Sequence, residues 1–296
     1  MLKQMIVAFA AVAALAITVP ANAQTEGASG MNAPASTGRV PVNGVELYYE
    51  IHGKGSPLVM LHGGVNPSEL FGAPLAEMAK AHQVIAVHLR GHGLSTDTDA
   101  PWRYEQMADD VAALLDALDI ETADVMGWSL GGGVALQTAI RHPERVGKLV
   151  VVSKNVRHDG NFPEIQAQFE AMPGMAAEIA RGVAQSPLAE MYPEIDWEVM
   201  FRKTGEMNAA HYDWSDDVAD IAAPTLLVFA DADMMPPEHM AEMYRLLGGG
   251  ARDAGLDGSL RPTPNQLAII PGTTHYNLMQ EATTTVTDHA KAFLAD

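Results

Sequence analysis

The stretch ADVMGWSLGGGVALQTAIRH, residues 123–142, opens on a short apolar run, passes through Gly127-Trp128-Ser129-Leu130-Gly131 and continues with a helical period. An apolar run that ends on glycine and gives way at once to a small-residue helix predicts a strand feeding directly into a helix. The connecting turn is so tight that the residues two before and two after the serine must be nearly free of side chain, and Gly127 and Gly131 meet that requirement. Such an elbow projects Ser129 from the carboxyl edge of a sheet and leaves the N–H of Leu130 free at the helix N-terminus. Ser129 is therefore the candidate nucleophile, with Gly127, Trp128 and Gly131 forming its elbow.

Working outward, PLVML (57–61), QVIAVHL (83–89), KLVVVS (148–153), PTLLVFA (224–230) and QLAII (266–270) are further short apolar runs. Most precede segments of helical period. In 104–118, Met107, Val111, Leu114, Leu115 and Leu118 share one face. Continuous apolar strands alternating with helices predict an α/β fold, a mostly parallel sheet covered on both faces. Before it, Asn43-Gly44 between two β-type segments predicts an antiparallel hairpin. The alternation lapses once, where 162–172 and 195–207 read as helices with no strand between them. Too long for a loop, residues 156–222 are expected to form a helical cap inserted between core segments 39–155 and 223–296.

The amino terminus reads as a secretory signal peptide over 1–23: a lysine, an apolar stretch from Met5 to Val19, then Ala21-Asn22-Ala23. That stretch as a helix spans roughly 22 Å, short of the ~30 Å hydrocarbon core, so cleavage is expected rather than stable membrane association. Residues 24–38, small and polar, read as a flexible linker, and the location implied is periplasmic or secreted. The absence of cysteine excludes a thiol nucleophile and a thiolate metal site, and the formal charge of -19 disfavours nucleic acid as a partner. No cofactor is indicated, and oligomeric state is not readable.

A serine nucleophile requires donors for an oxyanion and a base. His62-Gly63-Gly64 follows an earlier strand, and the N–H of Gly64, with that of Leu130, is expected to form the oxyanion hole. His275 begins its loop directly after the last apolar strand, at the edge where Ser129 emerges, and is the candidate base. His88 and His92 lack nearby cysteine or clustered carboxylates, so no metal site is expected. The orienting carboxylate comes from Asp231 or Asp233, which end the run FADAD, or from Asp159 after the preceding strand. The other of the close pair is expected to hydrogen-bond its own turn.

From about Arg39 onward, the motifs LHGG (61–64), LRGHGLS (89–95), GWSLGG (127–132), DADMMPPEH (231–239) and PGTTHYNL (271–278) resemble those of the α/β-hydrolase superfamily. In that family the acid commonly precedes a proline by four residues, which assigns Asp233, reaching Pro237, and leaves Asp231 as the turn former. The resemblance implies ester hydrolysis through an acyl-enzyme on a Ser129–His275–Asp233 triad. Relatives with an aspartate nucleophile, the dehalogenases and epoxide hydrolases, are disfavoured by Ser129. His88 stands where relatives often carry aspartate.

The expected substrate is a small to medium apolar carboxylic ester, with Trp128, Phe162, Trp197 and Trp214 as possible pocket residues. Lactone hydrolysis, carbon–carbon bond hydrolysis and cofactor-free haloperoxidase or perhydrolase chemistry use the same residues. A non-catalytic ligand-binding protein on this fold is the reading from another class.

Overall fold

The computed structural model describes residues 33–65, 71–261 and 263–295. The expected signal peptide and the first part of the linker, residues 24–32, lie outside them. The chain runs β1 (Ser36–Val42), β2 (Val45–His52), β3 (Ser56–Leu61), α1 (Ala73–Met78), β4 (His82–Val87), α2 (Tyr104–Ala117), β5 (Ala123–Trp128), α3 (Leu130–Arg141) and β6 (Val146–Val152). It continues through α4 (Pro163–Val183), α5 (Pro187–Met191), α6 (Trp197–Ala209), α7 (Ser215–Ala219), β7 (Thr225–Ala232), α8 (Pro237–Leu246), β8 (Gln266–Thr274), α9 (Asn277–Gln280) and α10 (Thr283–Leu294).

The strands form one eight-stranded sheet in the order β1-β2-β4-β3-β5-β6-β7-β8. β1–β2 and β2–β4 pair antiparallel and all later neighbours pair parallel. Asn43 and Gly44 both take positive φ, 41° and 84°, at the hairpin expected from their sequence. β1 starts at Ser36, so residues 36–38, assigned above to the linker, are strand: Ser36 pairs Ile51 and Gly38 pairs Tyr49. The Tyr49 ring lies across Gly38, in the space a side chain would fill. A polar composition that reads as linker thus serves at a sheet edge, where backbone pairing and a neighbour's ring supply the contacts.

Strand alternation sorts the core into two layers. Val59, Leu61, Val125, Val151 and Phe229 face one side with Leu114, Leu115 and Val134 of the covering helices. Leu58, Met60, Met126, Val150 and Val228 face the other with Leu75, Met78, Val286 and Phe293. Both faces of the parallel strands are buried, which is why these strands read as unbroken apolar runs rather than alternating ones.

Between β6 and β7 stand four α-helices, a short 3-10 helix (His158–Gly160) and one isolated bridge, Arg157 to Asp213. α4 extends beyond the expected 162–172 and carries Pro173 inside it. A proline removes one helical hydrogen bond and normally ends a helix; here its ring packs on α6, and any side chain at Gly205 would collide with it. Close helix–helix packing sustains α4 where local preference alone would stop it. No helix among the described residues is long and apolar enough to cross a membrane.

Two buried lysines tie this insertion to the sheet domain. Lys203 of α6 pairs with Asp97 at 2.8 Å. Lys154, just beyond β6, donates to Tyr104 Oη at 2.9 Å and Tyr212 Oη at 2.8 Å, and Tyr104 in turn donates to Asn208 of α6. Burial pulls the Lys154 pKa down to about 7. On the same helix α2 that carries Tyr104, Asp110 forms a fully buried bidentate pair with Arg90 at 2.9 and 2.8 Å, and Arg90 also donates to Asn43 O in the hairpin turn.

Two stability measurements follow from these groups. Asp110→Ala leaves Arg90 buried without its partner and should cost about 3–5 kcal/mol in urea denaturation. Lys154 is neutral in the folded protein above about pH 7 and charged in the unfolded chain up to about 10.5. The unfolded chain therefore binds more protons in that window, and stability contributed at this site rises with pH. Lys154→Met should raise Tm most at and below pH 7, with the gain shrinking as pH approaches 10.

Candidate active site

Ser129 sits at φ 55°, ψ −113°, between the end of β5 and the first turn of α3. This conformation costs a non-glycine residue about 1–3 kcal/mol and persists only where surrounding contacts enforce it. The enforcing contacts are specific. The Ser129 N–H donates to Val152 O at 2.9 Å, Gly133 N–H donates to Ser129 O at 3.1 Å and Gly131 N–H donates to His62 O at 3.0 Å. A side chain on Gly127 would overlap the Gly131 carbonyl, and one on Gly131 would overlap the carbonyls of Leu61 and His62. As the first residue of α3, Leu130 has no partner for its N–H inside the helix.

His62 organises the neighbouring loop. It is buried, and its Nε2 accepts the Leu89 N–H at 3.0 Å, so the proton resides on Nδ1, which donates to Gly63 O at 2.7 Å. Burial, reinforced by nearby His92, pushes its pKa well below the usual value and keeps the ring neutral. In a trans peptide the N–H points opposite to the C=O. Fixing Gly63 O on one side therefore aims the Gly64 N–H to the other. Gly64 lies against Leu130, whose side chain would be 3.7 Å from a carbon added at Gly64. The two backbone donors expected for the oxyanion hole thus belong to adjoining segments.

His275, just past β8, brings Nε2 within 3.0 Å of Ser129 Oγ and Nδ1 within 2.9 Å of Asp233 Oδ1. A carboxylate only accepts, so Nδ1 carries the proton and Nε2 offers its lone pair to the serine hydroxyl. Asp233 is 8% exposed. Burial pushes its carboxyl up, but hydrogen bonds from His275, Ser153 and the Met234 N–H outweigh that and hold it below the usual carboxylate range. Ser153 donates to Oδ2 at 2.6 Å.

The other two aspartates lie elsewhere. Asp231 accepts the Gly272 and Thr273 N–H groups, both at 2.9 Å. It thus binds chiefly the backbone of β8, because β7 and β8 run side by side there, and more weakly the backbone of its own turn at Asp231 and Ala232. Asp159 is exposed and pairs with Arg157 at 2.7 Å. Of the possible pocket residues, Trp128 meets the His275 ring at 5.7 Å and packs so closely on Gly63 that a side chain there would collide with it. Trp128 also belongs to the core layer with Met60 and Met126, so it is a wall between core and site.

Trp197 and Trp214 are buried in the opposite layer, Trp214 stacked on Tyr212 at 4.3 Å. Phe162 is exposed at the start of α4, its N–H donating to Met234 O. The rings of His62, His88 and His92 adjoin, but no group of three His, Cys, Asp or Glu with metal-binding geometry occurs among the described residues. The part played by Ser153 was not visible in sequence, since a serine ending VVVS carries no signature; only the register of β6 between β5 and β7 reveals it.

Comparison with known proteins gives the same fold. Residues 56–192 match the family model for the alpha/beta hydrolase fold. A putative carbamate hydrolase, RutD, of Azorhizobium caulinodans is 31% identical over 227 residues, 71% of this chain and 84% of that protein. A 2-hydroxymuconate semialdehyde hydrolase of a Pseudomonas species is 41% identical over 130 residues, 41% of this chain and 46% of that protein. The crystal structure of an enol-lactonase from Burkholderia xenovorans, 21% identical, superposes with a TM-score of 0.69 over 88% of this chain and all of that one. With its sheet order, its strand–serine–helix elbow and these matches in agreement, the chain belongs to the α/β-hydrolase superfamily.

Proposed function

We propose that the protein is a serine hydrolase that cleaves a small to medium apolar carboxylic ester through an acyl-enzyme. The observation that carries this reading is the unbroken hydrogen-bonded run from Ser129 Oγ through His275 to Asp233, at 3.0 and 2.9 Å. In the proposed mechanism Ser129 Oγ attacks the ester carbonyl as its proton passes to His275 Nε2. The resulting oxyanion is received by the N–H groups of Gly64 and Leu130. Asp233 stabilises the imidazolium, which then protonates the departing alkoxide. Water enters, gives its proton to the same nitrogen and releases the acid, restoring Ser129.

The apolar composition of the insertion supports an apolar acyl or alcohol group, and the layout of residues 1–23 supports export. The similarity to a carbamate hydrolase accords with attack on a carbonyl bearing a heteroatom leaving group. A second reading, hydrolysis of a carbon–carbon bond in a vinylogous diketone, is favoured by the 41% identity to the semialdehyde hydrolase, which covers less than half of either chain.

A panel of p-nitrophenyl esters of increasing acyl length, with lactones, a carbamate and a vinylogous diketone, separates these readings. The proposal expects the highest kcat/KM with short to medium acyl esters; turnover of the diketone alone would replace it with the second reading. Within the site, Asp233→Asn should lower kcat by about 10⁴, as loss of the orienting carboxylate does in serine triads. Asp231→Asn, which keeps one acceptor oxygen for the β8 backbone, should cost about tenfold or less. Steady-state rates of the two variants on the best ester measure the difference.

A further inference from the structure

We propose that Ser153 is a positioning residue for this site: its hydroxyl donates to Asp233 Oδ2 and holds the carboxylate with Oδ1 facing His275. The inference rests on the serine-hydrolase reading above. Ser153 is fully buried, and because a carboxylate only accepts, the 2.6 Å contact has the serine as donor. Asp233 Oδ1 receives both His275 Nδ1 at 2.9 Å and the Met234 N–H at 2.8 Å. Oδ2 has Ser153 and, more distantly, the Ala230 N–H at 3.2 Å. Ser153 therefore supplies the short contact that opposes rotation of the carboxylate about its Cβ–Cγ bond.

The backbone is arranged to deliver that hydroxyl. Ser153 has φ 51°, a region a serine enters at a cost, directly after β6. Its N–H is fixed on Val228 O of β7 at 2.8 Å, while Val152 O accepts the N–H of Ser129. Two successive residues at the end of β6 thus grip the nucleophile on one side and the acid on the other, as the order β5-β6-β7 requires. The next residue, Lys154, turns its amine to Tyr104 and Tyr212 instead.

The test compares Ser153→Ala and Ser153→Gly, both lacking the hydroxyl, with Gly also relaxing the positive φ so that the fold is retained if Ala proves unstable. Competent sites are counted by fluorophosphonate titration, and kcat and KM are measured against pH on the best p-nitrophenyl ester. Expected for both variants is a fall in kcat per site on the order of tenfold, the scale of one charge-assisted hydrogen bond. KM should be unchanged. In an Asp233→Asn background, Ser153→Ala should have no further effect, because its action runs through the carboxylate.

Wild-type kcat per site, or the same loss repeated in the Asp233→Asn background, overturns the proposal. Ser129→Ala run alongside separates the two levels. Full activity in that variant sinks the serine-hydrolase reading itself, whereas an inactive Ser129→Ala with wild-type Ser153→Ala sinks the positioning role alone.

Discussion

A side chain on Gly127 would overlap the Gly131 carbonyl across the turn at Ser129, and one on Gly131 would overlap the carbonyls of Leu61 and His62. That close approach lets β5 pass into α3 within a single residue, and the remaining geometry depends on it. It places the serine in a backbone region it would not choose, sets its hydroxyl 3.0 Å from His275 Nε2, and brings the first turn of α3 against the carbonyls of Leu61 and His62. The strain is local and is offset by hydrogen bonds to Val152 and His62 from the flanking strand ends.

The second constraint is the order of the sheet. Residues far apart in the chain become neighbours only because β5, β6, β7 and β8 lie side by side, so the loops at their carboxyl ends converge. Ser129 leaves β5, Asp233 follows β7, His275 follows β8, and β6 between them contributes Val152 and Ser153 as ties. Burial sharpens the electrostatics. Asp233 stays ionised despite its burial because donors surround both of its oxygens, and His62 stays neutral because burial and its histidine neighbours disfavour a charge.

Sequence made much of this legible, and the reasons differ from residue to residue. The elbow and the sheet strands carry strong signals, since a tight turn demands glycine and a doubly buried strand demands an apolar run. Asp233 was separable from Asp231 only through the spacing to Pro237 in a resembling family; the structure supplies the physical distinction, one carboxylate on the imidazole and the other on the backbone of β8. The passage of α4 through Pro173 was hidden because it depends on Gly205 in another helix. Ser153 and Lys154 were hidden for a related reason: what they touch is decided by strand neighbours distant in sequence. The aromatic residues of the insertion read as apolar, and only the structure separates Trp197 and Trp214, which join a core layer, from Phe162, which stays exposed.

The central claim is that Ser129 is the group that attacks. Its most direct measurement is reaction of the protein with a fluorophosphonate, followed by intact mass and peptide mapping. The account predicts a single adduct per chain, on Ser129, formed in step with loss of hydrolytic activity and abolished by Asp233→Asn or His275→Ala on the same timescale. Activity that persists after complete labelling of Ser129, or inactivation with the adduct on another residue, would contradict it.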